Sequence, residues 1–273
     1  MASAIPTSKA APVARTLKLP DQLAIWGGLG ALSSLSWLYL WRMPSGGMMD
    51  SMAGMTGMSG MAGMPGMAML SPWSPAQLWL TFLMWAVMMV AMMMPSTAPM
   101  VALYARVIEG RNTSPSLRVW IFVGGYIAVW TVFSGLAAVA QAAMQQAALL
   151  TGAMRVAPVI GGVILAFGGA YQLSPLKRRC LRHCQSPMGF LMTSWRDGAG
   201  GAFTMGVRHG AYCVGCCWML MALLFVVGVM NLAWVAALTA FVLIERVTRW
   251  GGEMATISGF ALIAAGLALA ALS

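Results

Sequence analysis

The sequence predicts an all-α fold, a polytopic membrane helix bundle of about seven transmembrane helices. Three observations carry that expectation. Hydrophobic residues make up 60% of the 273-residue chain. Charged residues make up only 8%, against about 25% in a soluble domain. Seven apolar stretches, at 24–41, 77–100, 119–140, 156–173, 210–230, 232–248 and 254–272, each come close to the about 20 residues that cross a hydrocarbon core.

Taken in order, residues 1–23 form a basic tail, MASAIPTSKAAPVARTLKLPDQL. It has no compact apolar core or small-residue cleavage pattern of a signal peptide, so the first span is expected to be retained. Residues 24–47 hold the first transmembrane helix and its exit. Residues 48–69 form a Met/Gly-rich loop, MMDSMAGMTGMSGMAGMPGMAM, with nine methionines and the tripeptide Gly-Met-x five times from Gly54 to Ala68. Five triplets with a single proline are too few and too poor in imino acid for a collagen helix. A flexible outer segment is the expectation.

Residues 70–273 form the remaining bundle, interrupted by a loop at 174–209 that carries Cys180, His183, Cys184 and, at its end, His209. Within it, SPLKRRCLRHC suits a short interfacial helix with Ser174 as N-cap and Pro175 at the first helical position. The sixth span is short and ends in charge. Gln141 and Asn231 fall at expected membrane edges, where a turn or interface role is the default. Glu245 is expected to pair at the surface with Arg246 or Arg249.

Charge sets the orientation. With the N-terminus inside, fourteen of the sixteen basic residues fall on the inner side, and only Arg42 and Arg155 fall outside. This split is the positive-inside pattern. The net charge of +10 is thereby accounted for as orientation and contact with an anionic lipid bilayer. No motif supports a nucleic-acid partner.

The chemistry is concentrated. All five cysteines and both histidines lie between residues 180 and 217. On a helix, His209, Cys213 and Cys217 follow at i, i+4 and i+8, with Cys216 beside them, so one face presents an imidazole and up to three sulfurs. Cys180 and Cys184 are again one turn apart. Thiolate and imidazole suit Cu(I), zinc or an iron–sulfur centre, and Cu(I) needs only two or three such ligands. The alternative for any one of these cysteines is packing as a small buried hydrophobe. A disulfide is not expected on the inner side, where thiols stay reduced.

Methionine supplies a second soft donor set. Met52, Met55, Met58, Met61, Met64 and Met67 recur in the outer loop, and thioethers of this kind suit Cu(I) or Ag(I). In LWLTFLMWAVMMVAMMMPSTAPM, Met84, Met88 and Met92 stack at i, i+4 and i+8 as a candidate conduit, the alternative being adaptable packing. Pro95 and Pro99 then free backbone carbonyls within the span. No Ser-His-Asp set, P-loop, dinucleotide motif or carboxylate pair is present, so no catalytic residue is singled out.

MWAVMMVAMMMP, YQLSPLKRRCLRHCQSP and GVRHGAYCVGCCWMLMALLFVVGVMNLAW together resemble a bacterial family of predicted metal-binding integral membrane proteins, a domain of unknown function. The resemblance covers about residues 78–250. It implies an integral membrane protein with a Cys/His metal site, carried here by Cys180, Cys184, His209, Cys213, Cys216 and Cys217; the expected location is a bacterial inner (cytoplasmic) membrane, with the charge split placing the N-terminus in the cytoplasm.

The functional expectation is Cu(I) capture on the outer methionines and inward transfer or delivery to the cysteine/histidine site. Weak thioethers followed by tight thiolates form an affinity gradient that points inward. The alternative is a membrane oxidoreductase or metallocentre assembly factor with a copper, iron–sulfur or dithiol centre. A metallochaperone or cuproprotein partner fits either reading, and so does an oligomer.

Overall fold

The computed structural model describes residues 18–42, 74–109, 115–147, 149, 158–229 and 231–271. Residues 1–17 and the Met/Gly-rich loop 48–69, with Met52, Met55, Met58, Met61, Met64 and Met67, lie outside the described residues. Those that are described form an all-helical protein with no strand among them.

Helix α1, Leu19–Arg42, includes one π-helical turn at Leu23–Gly27. It buries only Ile25 and Leu29 and packs on α2. Helix α2, Pro75–Glu109, runs for 35 residues through both internal prolines, a length of about 50 Å. Pro95 lacks the N–H that would bond to the carbonyl of Ala91. Trp37 Nε1 of α1 donates to that carbonyl at 3.1 Å, so the group freed by the proline is satisfied from the neighbouring helix.

Helix α3, Pro115–Gln146, packs on α2 and on α7, Gly198–Ala222, which continues through Leu224–Val227. The α3–α7 contact is a close backbone approach. A β-carbon at Gly206 would run into the carbonyl of Phe122, and one at Gly210 would lie 3.3 Å from that of Tyr126. The pairing of 122 with 206 and 126 with 210 makes the two helices parallel.

Helix α4, Pro158–Leu173, lies against α9, Gly251–Ala271. A β-carbon at Gly162 would meet the carbonyl of Gly266, and one at Gly169 that of Gly259. This order makes α4 and α9 antiparallel, stitched by small residues as apolar helices commonly are. Helix α8, Leu232–Val247, starts from the Asn231 side chain, which accepts from Trp234 N at 3.4 Å. That fits the turn role expected for Asn231.

One expectation needs correction. The stretch 174–209 is not an open loop: it folds as α5, Pro175–Gln185, and α6, Pro187–Ser194, before α7 begins at Gly198. The Ser174 hydroxyl accepts from Lys177 N at 3.2 Å, which is the cap the sequence predicts. Among the described residues, five helices, α1, α2, α3, α7 and α9, are long and apolar enough to cross a membrane, and α4 with α5, bent by 62°, makes a sixth if the broken pair is one span. Helix α8 has 16 residues.

Candidate metal centre

Every one of the cysteines is free. Cys213, Cys216 and Cys217 sit on one buried face of α7, each at most 1% exposed. The S–H groups of Cys216 and Cys217 donate to the carbonyl of Cys213 at 3.2 and 2.9 Å, which turns both side chains back along the helix. Helix α5 folds against α7 and brings Cys184 Sγ to 3.9 Å from Cys216 Sγ. Three buried sulfurs of α7 and the half-buried Cys184 of α5, predicted separately, thus come together.

Cys180 is placed differently. It is half-buried, and its sulfur lies against the backbone of Gly215, where a β-carbon would be 2.8 Å away. His209, 2% exposed, sits among the rings of Phe122, Tyr126 and Phe190, and its Nδ1 has no hydrogen-bond partner. His183 stacks on Tyr212 with ring centroids 4.2 Å apart, and its Nδ1 contacts the carbonyl of Arg179 at 2.9 Å. Among the described residues, no group of three or more His, Cys, Asp and Glu side chains is arranged to hold a metal ion.

A side-chain cation lies against these sulfurs. The Arg246 guanidinium of α8 occupies their midst: Nη2 donates to Cys213 Sγ at 2.8 Å, Cys216 Sγ at 3.2 Å and Cys217 Sγ at 3.4 Å. The same nitrogen reaches the Cys213 carbonyl at 3.1 Å, and Nη1 donates to Ser96 Oγ at 2.9 Å. The Tyr126 hydroxyl lies 2.9 Å from Cys213 Sγ and donates to the Met93 carbonyl at 3.3 Å. Through Tyr126 and Ser96 the sulfurs are joined to α3 and α2.

The surface pairing expected for Glu245 is thereby overturned. Glu245 is 1% exposed and bonds Lys177 Nζ at 2.6 Å. Lys177, itself fully buried, also donates to Gln172 Oε1, and Gln172 Nε2 donates to Ser258 Oγ at 3.2 Å. Two adjacent charges on α8 face inward because each finds a partner there, which is the condition for a buried charge. Gln141, expected at an edge, is buried as well, and accepts from Trp85 Nε1 at 2.7 Å.

Met84, Met88 and Met92, none more than 2% exposed, belong to the same buried cluster as Cys213, Cys216 and Cys217. Sequence spacing missed Arg246 and Tyr126 as neighbours of the sulfurs, and Ser96 as the partner of Arg246. One signal was present, a glutamate and an arginine ending an otherwise apolar stretch, since ionisable residues in such segments are functional by default.

A family model described as PpoB2, copper chaperone, matches residues 82–269. No curated protein and no solved structure matches the chain.

Proposed function

The chain belongs to the family described as PpoB2, copper chaperone, and from that premise we propose that it is an inner-membrane copper(I) chaperone whose cargo rests on the sulfurs of Cys184, Cys213, Cys216 and Cys217. The observation that carries this reading is the convergence of those sulfurs from α5 and α7, three of them buried and Cys184 half-buried beside them. Soft, low-coordinate Cu(I) is satisfied by two or three thiolates, and a dry interior protects it from water and oxygen. His209, unpartnered at Nδ1 one turn before Cys213, is a further donor for the same ion.

Copper enters, on this reading, at the methionines of 48–69, moves past Met84, Met88 and Met92, and reaches the sulfurs before delivery to a cuproprotein or metallochaperone. Thioether to thiolate is a step toward tighter binding, so the gradient runs inward. The membrane placement is supported by five helices of sufficient length and apolarity and by an apolar outer surface that includes Leu35, Val132, Leu136, Phe167 and Ile257. Parallel α3 and α7 with antiparallel α4 and α9 are pairings compatible with alternate crossings. The charge split favours an N-terminus in the cytoplasm.

The 3.9 Å between Cys184 and Cys216 favours one second reading, a redox-active dithiol in an oxidoreductase or assembly factor. Metal analysis with a visible spectrum on detergent-purified protein separates the two. The chaperone reading expects colourless Cu(I) at about one ion per chain, kept when residues 48–69 are deleted and lost when Cys213, Cys216 and Cys217 become alanine together. Zinc, iron, a coloured centre, or copper retained by the triple variant would overturn it.

A further inference from the structure

Helix α5 carries two cysteines, and the reading above uses only Cys184. Lys177, Cys180, Leu181 and Cys184 recur at i, i+3, i+4 and i+7, which places them on one face of the helix. Lys177 and Leu181 are buried there and the two cysteines half-buried, while Arg178, Arg179 and Arg182 are exposed. Both ends of that face are tied to α8. Lys177 bonds the Glu245 carboxylate, and Gln185 Nε2 donates to the carbonyls of Glu245 at 2.8 Å and Thr248 at 3.1 Å. Cys180 and Cys184 are thereby held in register against α7, between two fixed points.

They meet α7 at adjacent residues. Cys184 Sγ lies 3.9 Å from Cys216 Sγ, and Cys180 Sγ lies against Gly215, the residue before it. Glycine is what lets the Cys180 sulfur come so near, because a β-carbon at Gly215 would stand 2.8 Å from it. Burial falls in the same direction: Cys216 is 1% exposed, whereas Cys184 and Cys180 are half-buried. Cys184 therefore adjoins the interior sulfurs and, one helical turn away on its own helix, Cys180.

We propose that Cys180 is the hand-over ligand: copper(I) leaves the interior by exchanging Cys216 for Cys180 while Cys184 stays bound. The inference rests on the copper reading and assigns the route by which that cargo departs. In the exchange a bond forms between Cys180 Sγ and the ion, the bond from Cys216 Sγ breaks, and the proton of the Cys180 thiol passes to the Cys216 sulfur. The ion remains Cu(I), the thiolates on it remain two, and the charge of the bundle is unchanged, so the step needs no oxidant or reductant. Low coordination opens this path, because an ion content with two sulfurs has room to take a third before giving one up. Arg246 stays in place throughout, on Ser96 and the Cys213 carbonyl.

The test is transfer from copper-loaded, detergent-purified full-length protein to an excess of a chromogenic Cu(I) chelator, followed in time, with copper per chain measured at equilibrium on the same samples. Cys180→Ser keeps nearly the same volume and removes the soft donor. It is expected to hold as much copper as wild type and to release it about tenfold more slowly. Cys180→Met, which restores a sulfur, is expected to recover most of the rate. A serine variant that releases at the wild-type rate, or a methionine variant as slow as the serine one, overturns the proposal. Loss of copper at equilibrium from Cys180→Ser overturns it too, since Cys180 would then be a holding ligand.

Should the variants fail to accumulate as folded protein, alkylation of the wild type with iodoacetamide, read by mass spectrometry, decides. Copper loading is expected to protect Cys184 and to leave Cys180 as reactive as in the empty protein. Protection of Cys180 on loading, or none at Cys184, overturns the proposal. Wild type that holds no copper would instead fell the copper reading, and this inference with it.

Discussion

The α4–α9 pair and the α2–α3–α5–α7–α8 group hold helices together in opposite ways. Helix α4 buries four glycines, at 161, 162, 168 and 169, together with Gln172. Helix α9 buries Gly251, Ala255, Gly259 and Gly266. Their cohesion is backbone against backbone, through van der Waals attraction along the whole seam. The other group buries Ser96, Gln141, Lys177, His209, Glu245, Arg246 and three cysteines, and its cohesion is a set of directed bonds. The first interface is mainly shape, with Gln172 to Ser258 as a directed bond across it; the other has chemistry that must be satisfied partner by partner. The lesson is that the first tolerates any ligand state, whereas the second cannot change its ligand without changing its bonds.

That contrast breaks most sharply at Lys177. Lys177→Met leaves the Glu245 carboxylate buried and unpaired, which is expected to cost about 3–5 kcal/mol and to lower the melting temperature in detergent strongly. Lys177→Met with Glu245→Leu removes both charges and is expected to recover most of the loss. A double variant as unstable as the single one would show that the pair does more than neutralise itself. Next in size, Gly169→Val drives a side chain into the backbone of Gly259 and is expected to cost about 1–3 kcal/mol by overpacking. Copper per folded chain should stay at the wild-type value, and a loss of copper would show that the two regions are not independent. The smallest effect is expected from Ser174→Ala, about 1 kcal/mol for a lost helix cap, read as a lower melting temperature.

Much of this architecture was legible in the residues. The long apolar runs around Met84, Tyr126 and Cys213 became α2, α3 and α7, and the Ser174–Pro175 start signal marked the start of α5. The stripe of Cys213, Cys216 and Cys217 on one helical face also followed from spacing alone. What did not follow was anything that depends on which helix lies beside which. Cys184 meets Cys216 only because α5 folds back along α7. Arg246 meets Ser96 across 150 positions of sequence, and Lys177 meets Glu245 across two helices. Charge at the end of an apolar stretch is ordinarily a surface feature, and local pattern carries no information about a distant partner that would draw it inward.

The bond from Trp37 to Ala91 has a meaning for the chain's assembly. Helix α1 lies before the matched residues 82–269 and is attached where a proline leaves the second helix open. The indole acts as a splint across that gap. A shortened chain starting after α1 would carry an unfilled acceptor at Ala91, close along the helix to Met88 and one turn from Pro95. Water admitted there would wet the middle of a helix that is otherwise dry. The first helix thus does more than pack against the bundle: it closes the joint that the proline opens in α2.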